Sequence, residues 1–425
     1  MERLGCPQKF LTMITQLHEG QLGQIRLNND LSEPFPIKNG VKQGCVLAPT
    51  LFSIFFSMML KQATDDLDDE DFVYIRYRLD GNLFNLRRLQ AHTKTYQSLI
   101  KDLLFADDAA LVAHTQRALQ RITSCFAESA QLFGLEVSLK KTEVLHRPAP
   151  QEDYHAPHIP TIGETELKSV QQFTYLGCTI SSNARIDGEI DNRLAKANCA
   201  FGRLHKRVWK NKHLRSTTKV SVYKAVVLTT LLYGSESWVT YRNHIKLLER
   251  FHQRCLRTIL NIHWSDFVNN LTVLEQANIT SIEAMLLKVQ LRWAGHVSRM
   301  EDHRLPKITL YGELASGYRS RGAPKKRYKD SLKKSLGACH ISHLEWSAFA
   351  RNRSTWRSTI NKAASSFEEN RRASIEEKRQ RRKNSAATTP NPDETFTCGH
   401  CNRTCRSRIG LISHERACRN RGQPS

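Results

Sequence analysis

Two adjacent carboxylates, Asp107 and Asp108, interrupt the apolar run LLFADDAALV at residues 103–112. Charge placed among Leu, Phe, Val and Ala is costly unless it is paired. Adjacent carboxylates at a turn between apolar strands are positioned to hold divalent cations. Mg²⁺ takes oxygen ligands and shares its shell between a few carboxylates and substrate phosphates. Two such ions ~3.5–4 Å apart activate an attacking hydroxyl and stabilise the leaving oxygen in phosphoryl transfer. Asp is also a favoured turn residue, so an ordinary Asp-Asp turn accounts for the pair taken alone.

A second set of candidate ligands lies in FTCGHCNRTCRSRIGLISHERACR, as Cys398-x₂-Cys401-x₁₂-His414-x₃-Cys418. The first pair fits a knuckle on a small hairpin, and His414 and Cys418, four apart, project from one helix face. Four N/S ligands satisfy a closed tetrahedral Zn²⁺ site. A segment this short cannot bury enough to fold without its metal. Leu411 supplies an apolar core position and Phe396 precedes the first Cys. The segment resembles a C2H2-type zinc finger with its last His replaced by Cys, over residues 396–420. Arg403, Arg406, Arg408, Arg416, Arg419 and Arg421 surround it and suggest phosphate contact, with a protein-binding finger as the alternative.

The elements that must hold the carboxylates are legible on either side of them. GCPQKFLTMITQLHEG reads as an amphipathic helix with Phe10, Leu11, Ile14 and Leu17 on one side. Val46–Leu60 is nearly all apolar and too long for a strand, so it is expected as a buried helix. DDLDDED reads as a solvated acidic loop. FVYIRYRLDGNLFNLRRL alternates about an Asp-Gly turn and suggests a basic hairpin. Residues 103–112 fit two short strands with a tight turn. Thr115–Phe133 has helical spacing, and Gly134 suits the position past a helix end. LEVSLKKTEVL and FTYLGCTI each read as strand. From Ile186 to Met300 the pattern is helical. FEENRRASIEEKRQRRKN is a charged helix or an unfolded tether, and SAATTPNPDE has linker composition.

The chain has 425 residues, 40% hydrophobic and 25% charged, with 64 Lys and Arg against 41 Asp and Glu. That length predicts several domains. A net charge of +23 predicts a polyanionic partner, nucleic acid before membrane. The longest apolar runs are too short for a bilayer span of ~20 residues. No signal sequence follows Met1, so the scattered cysteines are expected as reduced core thiols, and the chain as intracellular, nuclear or cytoplasmic. His205, His252 and His296 have no partners at ligand spacing and are expected as packing or surface residues. Trp238, Trp264 and Trp293 are expected in the core, with base-stacking platforms as the alternative. KKRYK and RRKN would bind phosphate, direct nuclear import, or simply face solvent.

Four motifs in order place the carboxylates in a wider frame. GVKQGCVLAPTLF, FADD, GLEVSLKKTEVL and FTYLGCTI together resemble the palm of a reverse transcriptase of the non-LTR (LINE-like) retrotransposon class. LLYGSESW, LRWAGHVSRM and RGAPKKRYKDSLKKSL resemble that family's region beyond the palm. The resemblance implies that Asp107 binds metal with Asp108 supporting it. It implies that Gln43 and Gly44 contact template and nucleotide pocket, and that Lys140 or Lys141 lies near the triphosphate. FTYLGCTI corresponds to the primer-grip hairpin. The implied partners are an RNA template, a DNA primer and deoxynucleotides, with Mg²⁺ as cofactor.

The resemblance also implies a third carboxylate, on a strand just before a helix like GCPQKFLTMITQLHEG. Here Met1-Glu2-Arg3-Leu4 leads directly into that helix, and the first aspartate is Asp30. The expectation is an N-terminally truncated copy whose polymerase activity is impaired. The alternative is a non-catalytic nucleic-acid-binding remnant with a zinc finger. An unrelated metal phosphohydrolase would leave the Gln43-Gly44 turn unexplained. The expected fold is α+β: a partial palm over 1–183, a helical thumb-like bundle over 184–305, a basic region over 306–383, a linker over 384–395 and the finger.

Overall fold

The computed structural model of the protein describes residues 1–2, 5–38, 40–91, 93–147, 159–317, 322, 324–387, 396–405 and 408–420. It is a mixed α and β structure with its strands before residue 182, apart from three short ones. Helix α1 (Gln8–His18) forms as its periodicity predicts, but none of its residues is buried. Phe10, Met13 and Leu17 are exposed, so the amphipathic face is left uncovered by the described residues.

Helix α2 (Ala48–Asp65) begins behind a Lys42–Cys45 turn and carries Pro near its first position, where the missing N–H costs nothing. It is buried on one side only. Phe56, Met59 and Ala63 face helix α3 (Gln116–Leu132), whereas Phe55 and Met58 stay exposed. The expectation of a wholly buried helix is therefore corrected, because among the described residues α2 has α3 on one side and no second layer on the other. Phe52 stacks on Phe56 at 5.6 Å, Phe126 meets Phe56 edge-on, and Ser129 Oγ donates to the Met59 carbonyl at 2.8 Å. The Thr115 side chain caps α3 by accepting from Ala118 N at 3.1 Å, and Gly134 takes φ +73° just past its end.

Strand Val73–Tyr77 pairs antiparallel with Tyr96–Ile100, not across the Asp80-Gly81 turn. The reason is burial: Leu83 and Leu89 go into the interior, so the connection folds inward instead of zipping up. Gly312–Leu314 adds to the other edge of Val73–Tyr77. The acidic loop is also less solvated than its composition suggests, since Asp71 is buried and pairs with Arg121 at 2.8 Å.

The helical region follows. Helices α4 (Asp187–Arg203), α5 (Ser216–Val222), α6 (Thr229–Leu231), α7 (Arg242–Leu260) and α8 (Asn270–Gln276) enclose one core built on Ile190, Tyr223, Leu231, Leu248 and Leu256. Helices α9 (Ile282–Ser298), α10 (Leu305–Tyr311), α11 (Tyr328–Ala338), α12 (Trp346–Arg351) and α13 (Arg353–Ala387) enclose a second, built on Leu291, Leu332, Trp346 and Trp356. Leu83 reaches into that second core from the strand region. The charged stretch from Phe367 is helix, and α13 continues to Ala387, into the span expected as linker; residues 388–395 of that span lie outside the described residues. Buried Glu368 holds α13 in place, accepting from Ser281 Oγ at 2.5 Å and from Arg371 at 2.8 Å. Cys255 and Cys339 are buried, but Cys45 and Cys199 are exposed, so only some of the scattered thiols belong to the cores. No described helix is long and apolar enough to cross a membrane.

Candidate active site

Strands Asp102–Phe105 and Asp108–Leu111 form an antiparallel hairpin, with Phe105 opposite Asp108 and only Ala106 and Asp107 between them. Two-residue turns match strand twist when the first turn residue has positive φ. Ala106 takes φ +54°, a conformation that costs an L-residue with a Cβ about 1–2 kcal/mol. Asp107 thus occupies the tip and Asp108 the first strand position, and both are exposed. Neither carboxylate has an ion-pair partner among the described residues. No third His, Cys, Asp or Glu joins them in a ligand-sized group among the described residues.

A second hairpin braces the first. Gln172–Tyr175 pairs with Cys178–Ser181 across Leu176-Gly177, both at positive φ, as a type I′ turn requires. The Tyr175 hydroxyl donates to the Leu103 carbonyl at 2.8 Å, fastening this hairpin to the strand that leads to the carboxylates. Behind it lies a buried ion pair on α4. Arg193 Nε donates to Glu189 at 2.6 Å, and Glu189 accepts from Thr179 N at 2.7 Å. Arg193 also donates to the Gly177 carbonyl and lies 4.6 Å over the Tyr233 ring. The sequence singled out none of Tyr175, Glu189 and Arg193. The signal available was the Glu-x₃-Arg spacing at the start of α4, which looks like any surface helix pair.

Gln43 and Gly44 are the central residues of the turn before α2. Cys45 N donates to the Lys42 carbonyl at 3.1 Å, and Gly44 at φ +87° fills the position of a type II turn that favours glycine. Space around Gly44 is open. Lys140 and Lys141 lie in an exposed turn closed by Lys141 N donating to the Ser138 carbonyl. The expected strand LEVSLKKTEVL shrinks to Glu143–Val144, paired parallel with Lys168–Ser169. Among the described residues, no hydrogen bond joins Gln43, Lys140 or Lys141 to Asp107 or Asp108. The two regions are connected through packing, since α3 contacts both α2 and the second strand of the acidic hairpin.

A cleft of about 1900 Å³ runs beside the hairpin and is lined by Leu103, His114 and Ser182 from the strand region. Seven Lys or Arg side chains line it against one Glu. The basic run contributes four of them. Lys325 donates to the Asn183 carbonyl at 2.6 Å, and Lys326 lies 4.7 Å over the Tyr241 ring. Lys329 donates to the Gly312 carbonyl at 2.7 Å, and burial pushes its ammonium down to about 8. KKRYK is therefore docked against the strand region rather than a free solvated face.

The four expected finger ligands come together. Strands Phe396–Thr397 and Thr404–Cys405 pair, helix α14 (Arg408–Asn420) follows, and the ligand atoms of Cys398, Cys401, His414 and Cys418 all lie within 4.8 Å of one another. Cys401 Sγ stands 3.0 Å from His414 Nε2. Backbone N–H groups of His400 and Cys401 pull the Cys398 thiol down, whereas contact with Cys401 pushes Cys418 up. Three thiols and an imidazole nitrogen this close together are a donor set suited to a soft divalent cation.

The remaining His and Trp residues divide. His252 is buried beside Tyr223, its Nδ1 2.9 Å from the hydroxyl, and burial pushes it down to about 4. Trp238 is in the core as expected. Trp264 is not: it is 86% exposed, because the turn that carries it projects from the end of α7.

Residues 1–180 match the family described as reverse transcriptase (RNA-dependent DNA polymerase). A transposon-derived protein of Caenorhabditis elegans is 26% identical over 281 residues, covering 62% of this chain and 96% of that protein. The RNA-directed DNA polymerase from the mobile element jockey of Drosophila melanogaster is 23% identical over 265 residues, 62% of this chain and 26% of its own length. A Pol polyprotein from a type-2 retrotransposable element of the same fly is 22% identical over 340 residues, 77% of this chain and 28% of that protein. The chain therefore spans nearly all of the nematode protein and about a quarter of each fly protein. These matches make residues 1–180 a reverse transcriptase domain of the kind that retrotransposon-derived proteins carry.

Proposed function

We propose that this chain takes part in RNA-templated DNA synthesis at Asp107 and Asp108, and that alone it does so weakly. One observation carries the reading: two unpaired carboxylates at the tip of a strained two-residue turn, on a strand bonded to the Tyr175 hairpin. Oxygen donors left free of protein cations suit Mg²⁺. Asp107 would hold the ion and Asp108 support it. Bound Mg²⁺ supplies the charge that activates the primer hydroxyl and steadies the leaving oxygens. The Tyr175 hairpin would position the primer end. Gln43 and Gly44 would face template and nucleotide pocket, where an open turn without a Cβ admits close approach. Lys140 or Lys141 would meet the triphosphate. The cleft lined by Lys325, Lys326 and Arg327 would follow the phosphate backbone of template and primer.

The weakness follows from the donor count. Two-metal transfer uses more carboxylates than the two gathered at this hairpin among the described residues. The same count favours a second reading, a nucleic-acid-binding remnant that makes no DNA. Cys398, Cys401, His414 and Cys418 would hold Zn²⁺, which supplies the folding energy of the last segment and presents its arginines to phosphate.

Primer extension by the purified chain, on an RNA template with Mg²⁺ or Mn²⁺, tests the proposal alongside template–primer binding. The expected result is firm binding with slow extension that disappears in Asp107→Asn. Extension that survives Asp107→Asn would overturn the assignment. Fast extension, lost in that variant, would overturn the weakness. Binding with no extension at all favours the second reading.

A further inference from the structure

On the face of the helical bundle, α7 carries Arg242, Lys246, Arg250 and Arg254 at four-residue intervals, all exposed. Four residues of α-helix rise about 6 Å, so these side chains form a ladder along one face. They floor a groove of about 1360 Å³ lined by ten Lys or Arg side chains against three Glu. The groove shares no lining residue with the cleft beside the acidic hairpin. Arg242 is paired with Glu283 at 2.8 Å, but among the described residues Lys246 and Arg250 have no ion-pair partner.

One side of this groove is formed by His263 and Asn269, and the chain between them lifts two aromatic rings into solvent. Trp264 is 86% exposed and Phe267 85%. The backbone that carries them is held. His263 N donates to Asp266 Oδ2 at 2.7 Å, and the Arg257 guanidinium holds the Val268 carbonyl at 2.7 Å and Asn270 Oδ1 at 2.9 Å. Phe267 is held at φ +50°, a conformation disfavoured for a bulky side chain. Exposing two large aromatics on a fixed turn, one of them strained, works against folding and suits a ligand that stacks.

Cations that follow a backbone beside aromatics that take bases are the two components of single-strand recognition. We propose that the α7 groove, with Trp264 and Phe267 at its side, is a second nucleic-acid site, binding a single strand by phosphate contact and base stacking. The aromatic pair is what favours a nucleic acid over an acidic protein, which would need the cations alone. The site stands on its own observations and does not depend on polymerisation at Asp107.

The test irradiates the full chain with short oligo(U) or oligo(dT) carrying iodinated bases, then maps the adducts by mass spectrometry. The expected adduct lies on the segment between Arg257 and Lys288, in either or both arms, and the arms report the sugar preference. Trp264→Ala with Phe267→Ala should lower its yield about tenfold or more, with adducts elsewhere retained. Trp264→Tyr should restore much of it. Lys246→Glu with Arg250→Glu should abolish it. The exposure of both rings means that the aromatic variants should melt as the parent does. A background-level adduct at this segment in the parent chain, or one indifferent to these substitutions, would overturn the proposal. So would polyglutamate that displaces the oligonucleotide as well as unlabelled oligo(U) does, because the groove would then be a site for an acidic protein.

Discussion

Removing Glu189 should unhinge the brace behind the acidic hairpin. Its side chain is 4% exposed and that of Arg193 is 6%. Truncation to Ala leaves the guanidinium buried without its counter-charge and frees Thr179 N from its 2.7 Å bond. Removing one member of a buried ion pair costs about 3–5 kcal/mol, most of it the penalty of the charge left behind. Glu189→Gln keeps the shape and the acceptor for Thr179, so it isolates the charge. The double variant Glu189→Met with Arg193→Leu removes both ions. What it leaves is Thr179 N, half-buried, and the Gly177 carbonyl, which is exposed and can turn to water. That should cost about 1–2 kcal/mol, less than either single variant.

The assay is urea unfolding, with hydrogen exchange at residues 172–181 to localise the loss. Primer extension should fall with it, because Tyr175 transmits a shift of its hairpin to Leu103 through its 2.8 Å hydrogen bond. Single variants that cost under about 1 kcal/mol, or a double variant that costs the sum of the singles, would refute the reasoning.

Gly295→Ala should destabilise the second core, although Ala normally improves a helix. A Cβ there would stand 2.0 Å from Trp356 Nε1, which donates to the Leu291 carbonyl at 3.1 Å, so the indole must shift and α13 with it. The expected cost is about 1–3 kcal/mol, read by urea melts, and a neutral or stabilising outcome would contradict the packing. For the finger, metal analysis of the chain prepared with zinc should find one bound ion, lost in Cys401→Ser and in His414→Ala. Undiminished metal in those variants would place it elsewhere.

What the sequence made legible was local. Thr115 and Gly134 bracket α3 because a capping hydroxyl and a positive φ are needs of single positions. The acidic hairpin, and the helix spacing of His414 and Cys418, follow from short-range periodicity in the same way. What escaped was non-local or dependent on context. The pairing of Gly312–Leu314 with Val73–Tyr77 joins segments with no pattern in common. Asp80-Gly81 looked like a hairpin turn, but burial of Leu83 and Leu89 outweighed the turn propensity. Trp264 follows a strongly amphipathic helix and invites a core assignment; only the projection of its turn decides otherwise. Asp71 and Glu189 needed the positions of Arg121 and of the Leu176-Gly177 turn before they read as anything but surface charge.

The distribution of charge gives the acidic tip its meaning. In a chain with 64 cationic side chains and 41 acidic ones, each buried carboxylate among the described residues is held by an arginine. Asp71 is paired with Arg121, Asp80 with Arg78 and Arg88, Glu189 with Arg193, and Glu368 with Arg371 and Arg372. Asp107 and Asp108 are exposed and have no such partner among the described residues, at the end of a hairpin beside a cleft whose charged lining residues are seven Lys or Arg and one Glu. The two-residue turn, with Ala106 at φ +54°, leaves both carboxylates exposed at its tip. Under the proposed function such a tip would take its counter-charge from a metal ion, and the basic side chains of the cleft would hold the polyanion.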